Sequence, residues 1–318
     1  MLNPQWDQSV AKHSGRRIIN ALIPVLLLVG FSLAPLVYAN QSILFQMMAF
    51  MALAQGVNLL YGFTGYLPFG YVGFFGIGAY GMAIAIQLLH FPGIAAVVMG
   101  GLLSTVIAIA FLPLLRLSGA YFAISSLAAA EVLSNLVSNS ALIHITNGPY
   151  GEQLTQSYHP VTSYAAMVAV LVLTTIVVIF IRNHPFGRAL MAIREDPVSA
   201  AMTGIAVVRS RSVVWLLSAF IAGLTGAIFG WHLSVFYPST VFDLNISILA
   251  IVFTLFGGYG TVTGPVLGSI VLYGLYNAVG ISDPQYFQLI YGLLIVALVL
   301  FLPGGIISLI QRRGNYVP

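Results

Sequence analysis

Long uninterrupted apolar runs dominate the hydropathy pattern of this chain. The first, residues 18–38, is long enough for one helical crossing of a bilayer, which takes about 20 residues. Membrane-spanning β-strands would instead alternate apolar and polar residues over about ten positions, and the runs here do not alternate. The pattern therefore predicts an all-α fold, a polytopic bundle of membrane helices.

The apolar runs predict about ten spans, some of them short or broken. The predicted spans are residues 18–38, 43–61, 71–89, 94–115, 119–139, 162–181, 212–235, 244–258, 265–281 and 286–310. Two of them, 244–258 and 265–281, are shorter than a full crossing needs. These two could be broken or re-entrant helices, which are tolerated where protein surrounds them or where they line a cavity.

Composition agrees with a membrane protein and limits the chemistry. The 318 residues are 59% hydrophobic and 6% charged, against roughly 25% charged in soluble domains. There is no cysteine, and no two histidines stand three or four positions apart, so no metal site is expected. The one lysine, Lys12, follows no glycine-rich turn, which excludes a phosphate-binding P-loop. We therefore expect no enzyme activity and no cofactor, and any ATP that drives the protein should bind to a partner chain.

Basic residues predict the orientation. If the N-terminus lies inside, alternating crossings put all eleven Lys and Arg residues on one face, as the positive-inside rule requires. Both termini are then cytoplasmic. The predicted organisation is an N-terminal segment at 1–17, a transmembrane domain at 18–310 and a tail at 311–318. The domain includes a large inside loop at 182–211.

That inside loop carries the signals of two short helices. Pro185 suits a first helical turn, Asp196 followed by Pro197 reads as an N-cap with a first-turn proline, and Gly204 reads as a stop. A solvated connector that only holds positive charge is one interpretation. A coupling element that fits a groove on a partner is the other, and the residues alone leave both open.

Two apolar segments, 64–78 and 257–265, are interrupted by Gly and Pro, which is typical of a substrate path. Glu131 lies in mid-span, where an ionisable group is costly unless it is paired or solvated. It could line the path or only fix helix packing through a hydrogen bond. The neighbouring aromatic pair at 121–122 could be an interfacial anchor or a gate. The candidate path residues are Thr64, Gly65, Tyr66, Tyr121, Phe122, Glu131 and Asn135.

A set of motifs in a fixed order carries a family resemblance. They are YGFTGYLPFG at 61–70, GFFGIGAY at 73–80, LSGAYFAI at 117–124, TNGPYG at 146–151, the run from PFGR at 185–188 to GI at 204–205, GGYG at 257–260 with GPVLG at 264–268, and FLPGG at 301–305. Over about residues 40–310 the chain resembles the LivM-type permease subunit of the branched-chain amino acid ABC importers.

The resemblance implies a bacterial cytoplasmic (inner) membrane location and a set of partners. They are a second, homologous permease, two cytoplasmic ATP-binding subunits and an extracytoplasmic solute-binding protein, with the lipid bilayer around the permeases and no nucleic acid. It also implies that the inside loop docks the ATPase. The candidate coupling residues are Phe186, Gly187, Arg188, Ala189, Leu190, Ile193, Arg194, Glu195, Asp196, Ala200 and Gly204.

The solute implied is a branched-chain or other hydrophobic amino acid. Two motifs depart from the usual family pattern: GYLPFG at 65–70 stands where GQLSLG is common, and NGPYG at 147–151 replaces a TGGxxG pattern. Both lie near the expected path, so urea, short amides or another small polar solute stay as alternatives. An alternative of a different class is a proton-coupled secondary transporter that uses Glu131.

Overall fold

Helices make up almost all of the chain that the computed structural model describes, which is residues 22–38, 40–155, 159–282, 289, 292–293, 296 and 305–307. The helices of the first half are α1 (Leu22–Val37), α2 (Gln41–Val57), α3 (Tyr71–Gln87), α4 (Gly93–Ala110), α5 (Ala120–Val137) and α6 (Ile143–Thr146). Those of the second half are α7 (Pro160–Asn183), α8 (Pro185–Glu195), α9 (Pro197–Met202), α10 (Val207–Leu233), α11 (Pro238–Val241), α12 (Leu244–Gly257) and α13 (Thr263–Ser282). Two short strands, β1 (Glu152–Gln153) and β2 (Val235–Phe236), form an antiparallel pair.

Six of the described helical stretches are long and apolar enough to cross a membrane. They are Gln41–Gly62, Gly93–Ala110, Ala120–Val137, Pro160–Asn183, Val207–Leu233 and Pro238–Gly257, and the helices Leu22–Val37 and Tyr71–Gln87 are apolar but shorter. Each predicted span up to 265–281 falls on a helix, which confirms the prediction of an all-α membrane bundle. The predicted span at 286–310 lies largely outside the described residues, as do the segments 1–17 and 311–318.

The chain leaves helical geometry at both segments that Gly and Pro interrupt. A π-helical turn, Asn58–Gly62, ends α2, and residues 65–70 then lead into α3, with Gly65 at a φ of +79°. The second break, residues 258–262, joins α12 to α13. The helix after it is continuous for 20 residues, so the segment predicted at 265–281 is neither short nor broken.

Close helix crossings at small residues form the centre of the bundle, where α3, α4 and α10 meet. A Cβ added to Gly78 would collide with the carbonyl of Gly223, and one added to Gly100 would collide with the carbonyl of Gly78. Such residues let helix backbones approach in lipid, where helix association depends on van der Waals packing rather than on the hydrophobic effect. These glycines therefore have a packing role.

Contacts between helix ends define two ends of the bundle. At one, which we call the strand-pair end, β1 pairs with β2, and Gln87 Nε2 donates to the carbonyl of Gln153 at 3.3 Å. The opposite end holds the 65–70 and 258–262 breaks together with α8 and α9, and we call it the arginine end. The described arginines all lie there: Arg116, Arg182, Arg188, Arg194, Arg209 and Arg211. The structure thus keeps the charge asymmetry that the sequence shows.

Candidate functional site

Two capped helices at the arginine end form the predicted coupling element. The side chain of His184 accepts from the amide of Phe186 at the start of α8, and the carboxylate of Asp196 accepts from the amide of Val198 at the start of α9. Hydrogen bonds from the Ser199 hydroxyl and then from the Val198 amide hold the pKa of Asp196 below its ordinary value of 3.8. Gly204 follows α9 at a φ of +87°, as its predicted role as a helix stop requires.

The coupling element has a buried side and an exposed side. Gly187, Leu190, Ile193 and Ala200 are buried within the chain, and Phe186 and Ala189 are half-buried. The exposed side carries Arg188, Glu195, Val198 and Met202, which we call the docking face. Val198 is 62% exposed and Met202 is 83% exposed. Exposed apolar side chains rimmed by charges are typical of a protein interaction surface.

Gly187 sets how closely α8 lies against the rest of the chain. A Cβ at this position would collide with the carbonyl of Ile181, near the end of α7. Leu190 and Ile193 share the same buried face, as their three-residue spacing predicts. The helix α8 therefore packs closely against the transmembrane bundle and is not a loose, solvated connector.

Arg194 points away from the docking face and into the bundle. Its Nη1 donates to the carbonyl of Gly62 at 2.8 Å, and its guanidinium carbon lies 4.5 Å from the ring centroid of Tyr259. The ring of Tyr259 in turn lies 5.2 Å from that of Tyr61, edge to face. One arginine of the coupling element thus contacts the π-helical turn that precedes the first break and also contacts the second break.

Buried polar side chains join the end of α2 directly to the second break. Asn58 Nδ2 donates to the carbonyl of Thr261 at 2.7 Å, and the amide of Gly260 donates to Asn58 Oδ1 at 2.7 Å. One turn earlier, Gln55 Nε2 donates to the carbonyl of Val262 at 2.7 Å. Neither side chain stands out in the sequence, because nothing near it along the chain reveals partners some 200 residues away.

A cavity of about 560 Å³ opens beside the 65–70 break. Its lining is almost entirely apolar and consists of Tyr61, Gly65, Leu67, Phe69, Gly119, Ala120, Ala123, Ile124 and Leu127. Gly65 is the one predicted path residue in this lining. The volume falls within the range of ligand pockets, roughly 300–1,000 Å³.

The face of α5 that lines the cavity becomes polar toward the strand-pair end. Ile124 and Leu127 are followed on the same helix face by Glu131 and Asn135, at spacings of three or four residues. Both are exposed, and Asn135 Nδ2 donates to the carbonyl of Glu131 at 2.9 Å and to its Oε1 at 3.2 Å. In a bilayer, a carboxylate on an uncovered helix face calls for water or a polar partner beside it.

The other predicted path residues divide between packing and exposure. Thr64 is buried and donates to the carbonyl of Leu60, and Tyr66 donates to the carbonyl of Leu115 at 3.2 Å. Phe122 is also buried, and its ring lies edge to face with that of Tyr66 at 4.7 Å. Tyr121, by contrast, is 76% exposed. The structure therefore separates the aromatic pair and gives Thr64, Tyr66 and Phe122 packing roles.

The strand-pair end holds a buried carboxylate that nothing in the sequence singles out. Glu152 is fully buried, and Asn147 Nδ2 donates to its Oε2 at 3.1 Å. Burial raises the pKa of Glu152, and contacts with Gln87 and Asn147 offset part of that rise. A glutamate in a polar loop gives no sequence signal of burial.

Comparisons with known proteins identify the family. The family described as "Branched-chain amino acid transport system / permease component" matches residues 40–299. The high-affinity branched-chain amino acid transport system permease protein LivM is 28% identical over 304 residues in both Salmonella typhimurium and Escherichia coli K12, covering 84% of this chain and 69% of the relative. The permease protein LivH of Salmonella typhimurium is 24% identical over 282 residues, covering 80% of this chain and 90% of LivH.

No solved structure gives a significant match. The family match covers most of the chain, and it agrees with the apolar helices and with the arrangement of arginines at one end. The chain is therefore a multi-pass membrane protein and belongs to the family of permease components of branched-chain amino acid transport systems.

Proposed function

We propose that this chain is one of two homologous permease subunits of an ABC importer in the bacterial cytoplasmic membrane, and that its solutes are branched-chain or other hydrophobic amino acids. An extracytoplasmic solute-binding protein delivers the solute, and two cytoplasmic ATP-binding subunits drive transport. The chain itself binds no ATP and carries no cofactor. The observation that carries the solute assignment is the apolar cavity beside Gly65.

In this proposal the arginine end lies in the cytoplasm and the strand-pair end lies outside. The positive-inside rule supports this orientation. The chain then makes ten crossings, its terminal segments 1–17 and 311–318 are cytoplasmic, and its permease domain is 18–310. The α8–α9 element then lies where a cytoplasmic ATPase can reach it, and its docking face supplies apolar contacts at Val198 and Met202 with a charge at Arg188.

The second permease is proposed to cover the open face of α5. Both LivM and LivH match this chain, which supports a pair of related subunits. Glu131 and Asn135 would then border a path between the two permeases, where water and polar groups solvate the carboxylate. The cavity beside Gly65 would form the cytoplasmic part of that path.

The cavity lining favours an apolar solute side chain over a small polar solute. Leu67, Ile124 and Leu127 offer hydrocarbon surface, and each CH₂ group removed from water there gains roughly 0.8 kcal/mol. Urea or a short amide would meet few hydrogen-bonding side chains on these walls and would lose its hydration without compensation. The polar solutes are therefore the second choice for this chain.

The function is tested by reconstituting the purified transporter into liposomes and assaying ATP hydrolysis with its binding protein. We expect leucine, isoleucine or valine to stimulate hydrolysis, with urea and acetamide inactive. An Ile124→Asn variant should lose solute-dependent stimulation, whereas Val132→Asn, exposed elsewhere on α5, should keep most of it. Stimulation by urea alone would overturn the solute assignment. Uptake driven by a proton gradient without ATP would overturn the ABC assignment in favour of the Glu131-dependent carrier.

A further inference from the structure

We propose that Arg194 is a positioning residue that transmits movement of the docked helix α8 to the cytoplasmic mouth of the substrate path. The inference rests on the proposed function, because α8 moves in this way only if an ATPase subunit docks on it. It concerns one side chain that lies on the coupling element but does not belong to its docking face.

Arg194 is anchored to the end of α2. The residue belongs to the last turn of α8, and its Nη1 donates to the Gly62 carbonyl at 2.8 Å. That carbonyl belongs to the π-helical turn that ends α2, where the backbone departs from regular α-helical hydrogen bonding. A charged donor on such a carbonyl makes a stronger bond than a neutral one would. Arg194 thus attaches α8 to the turn that leads into the first break.

Arg194 also lies behind the wall of the cavity. The guanidinium lies over the ring of Tyr259 from the second break, and Tyr259 packs against Tyr61, which lines the cavity. On the same side, a methyl group at Gly65 would lie 3.5 Å from Cγ of Arg194, an ordinary van der Waals contact. The stem and the head of the arginine therefore both lie directly behind the wall formed by Tyr61 and Gly65.

The segments that Arg194 contacts are held rigidly together. Asn58 bonds to Gly260 and Thr261, and Gln55 bonds to Val262, so the end of α2 and the second break form one hydrogen-bonded unit. A buried network of this kind resists separation, because each broken bond would leave a desolvated polar group. A displacement of Gly62 or of Tyr259 therefore shifts the end of α2 and the second break together, and the cavity wall at Tyr61 moves with them.

The chain offers a clean reporter for this movement because it contains no cysteine. An Ile124→Cys variant puts one thiol in the cavity lining, and labelling of this chain by a small maleimide can be followed in the assembled transporter. The labelling rate is compared without nucleotide and after trapping with ADP and vanadate. We expect the nucleotide to change the rate when Arg194 is present.

Variants of Arg194 test the inference, with labelling followed in the Ile124→Cys background and transport measured with Ile124 intact. We expect Arg194→Gln to abolish most of the nucleotide-dependent change and to lower solute transported per ATP hydrolysed about tenfold, the effect of losing one charge-assisted hydrogen bond. Arg194→Lys keeps a cation for the Gly62 carbonyl and the Tyr259 ring and should restore more than half of the coupling. Tyr259→Leu should weaken coupling, while Tyr259→Phe, which keeps the aromatic face, should not.

The outcomes separate this inference from the function on which it rests. If the parent transporter contains no ATPase subunits, the proposed function fails and this inference fails with it. If the parent is intact and Arg194→Gln leaves labelling and coupling unchanged, only the inference is wrong. Loss of ATPase subunits from the Arg194→Gln complex would also overturn it, because Arg194 would then belong to the docking contact. Equal effects of Tyr259→Leu and Tyr259→Phe would contradict the ring contact.

Discussion

The amide of Gly260 donates a 2.7 Å hydrogen bond to the side chain of Asn58, although the two residues stand 202 positions apart. The side-chain Nδ2 of the same asparagine donates to the carbonyl of Thr261 at 2.7 Å. One fully buried asparagine thus pairs with backbone groups of the second break that have no partner within a helix. Its two bonds hold the end of α2 against the segment that joins α12 to α13.

Asn58→Leu should destabilise the chain strongly. The substitution keeps a similar volume but leaves an amide and a carbonyl buried without partners, at a cost of roughly 2–5 kcal/mol. The expected result is a lower unfolding temperature in detergent. Asn135→Leu is the matched control, since Asn135 is exposed and bonds only within its own helix. Equal unfolding temperatures for the two variants would contradict the role given to Asn58.

Gly187→Leu should also act on the fold and not on docking alone. The new side chain would enter the space of the Ile181 carbonyl, and such overpacking costs about 1–3 kcal/mol or more. We expect reduced yield and a lower unfolding temperature for the isolated chain. Ala192→Leu, exposed on the same helix, should leave both unchanged. A stable Gly187→Leu protein would show that α8 can move away from α7 at little cost.

Arg188→Glu should release the ATPase subunits from a correctly folded permease. Arg188 is exposed on the docking face, so reversing its charge should not disturb packing within the chain, whereas it places a repulsive charge against the partner. Membrane insertion should be normal and co-purification of the ATPase should fall. Arg188→Lys is the charge-preserving control. Normal assembly of Arg188→Glu would remove Arg188 from the docking contact.

The buried Glu152 predicts a pH dependence of stability. Its pKa is raised above the ordinary value of 4.5, so the folded protein holds this proton more tightly than the unfolded chain does. The stabilisation is complete below the ordinary pKa and is lost as the pH rises through the raised one. Unfolding temperatures measured from about pH 4 to about pH 8 should therefore fall less steeply for Glu152→Gln than for the parent. Identical slopes would contradict the raised pKa.

Local signals in the sequence predicted the two short helices of the inside loop and the two breaks. Pro185, Asp196 with Pro197, and Gly204 mark helix starts and a stop through their own backbone and capping preferences, and the structure contains these features. The same holds for Gly65 in the segment 64–78 and for Gly258 and Gly260 in the segment 257–265, which adopt a positive φ. Three further glycines of the first segment, Gly73, Gly76 and Gly78, lie inside the regular helix α3 instead.

Contacts between distant segments could not be predicted in the same way. The inward direction of Arg194 depends on how α8 lies against α2 and on the position of Tyr259. Tyr121 and Phe122 are neighbours of similar character, yet only the tertiary packing decides that Phe122 is buried and Tyr121 is exposed. Hydrophobic periodicity is also weak in a membrane helix, because lipid-facing and buried positions are both apolar.

Glu131→Gln discriminates between the two classes of transporter. In an ABC importer the carboxylate contributes polarity to the path, so an amide of the same shape should retain most of the transport. In a proton-coupled carrier the amide could not carry the proton, and transport would be lost. Uptake by reconstituted liposomes measures the difference. Complete loss of uptake in Glu131→Gln, with normal assembly, would favour the carrier.

The most direct test of the ABC permease assignment is purification of the tagged chain from its native membrane in mild detergent, with the associated subunits identified by mass. The account predicts a complex that contains a second, homologous permease and two ATP-binding subunits, and whose ATP hydrolysis rises with a branched-chain amino acid and its binding protein. Recovery of the chain alone, or only as a homo-oligomer without ATPase activity, would contradict it.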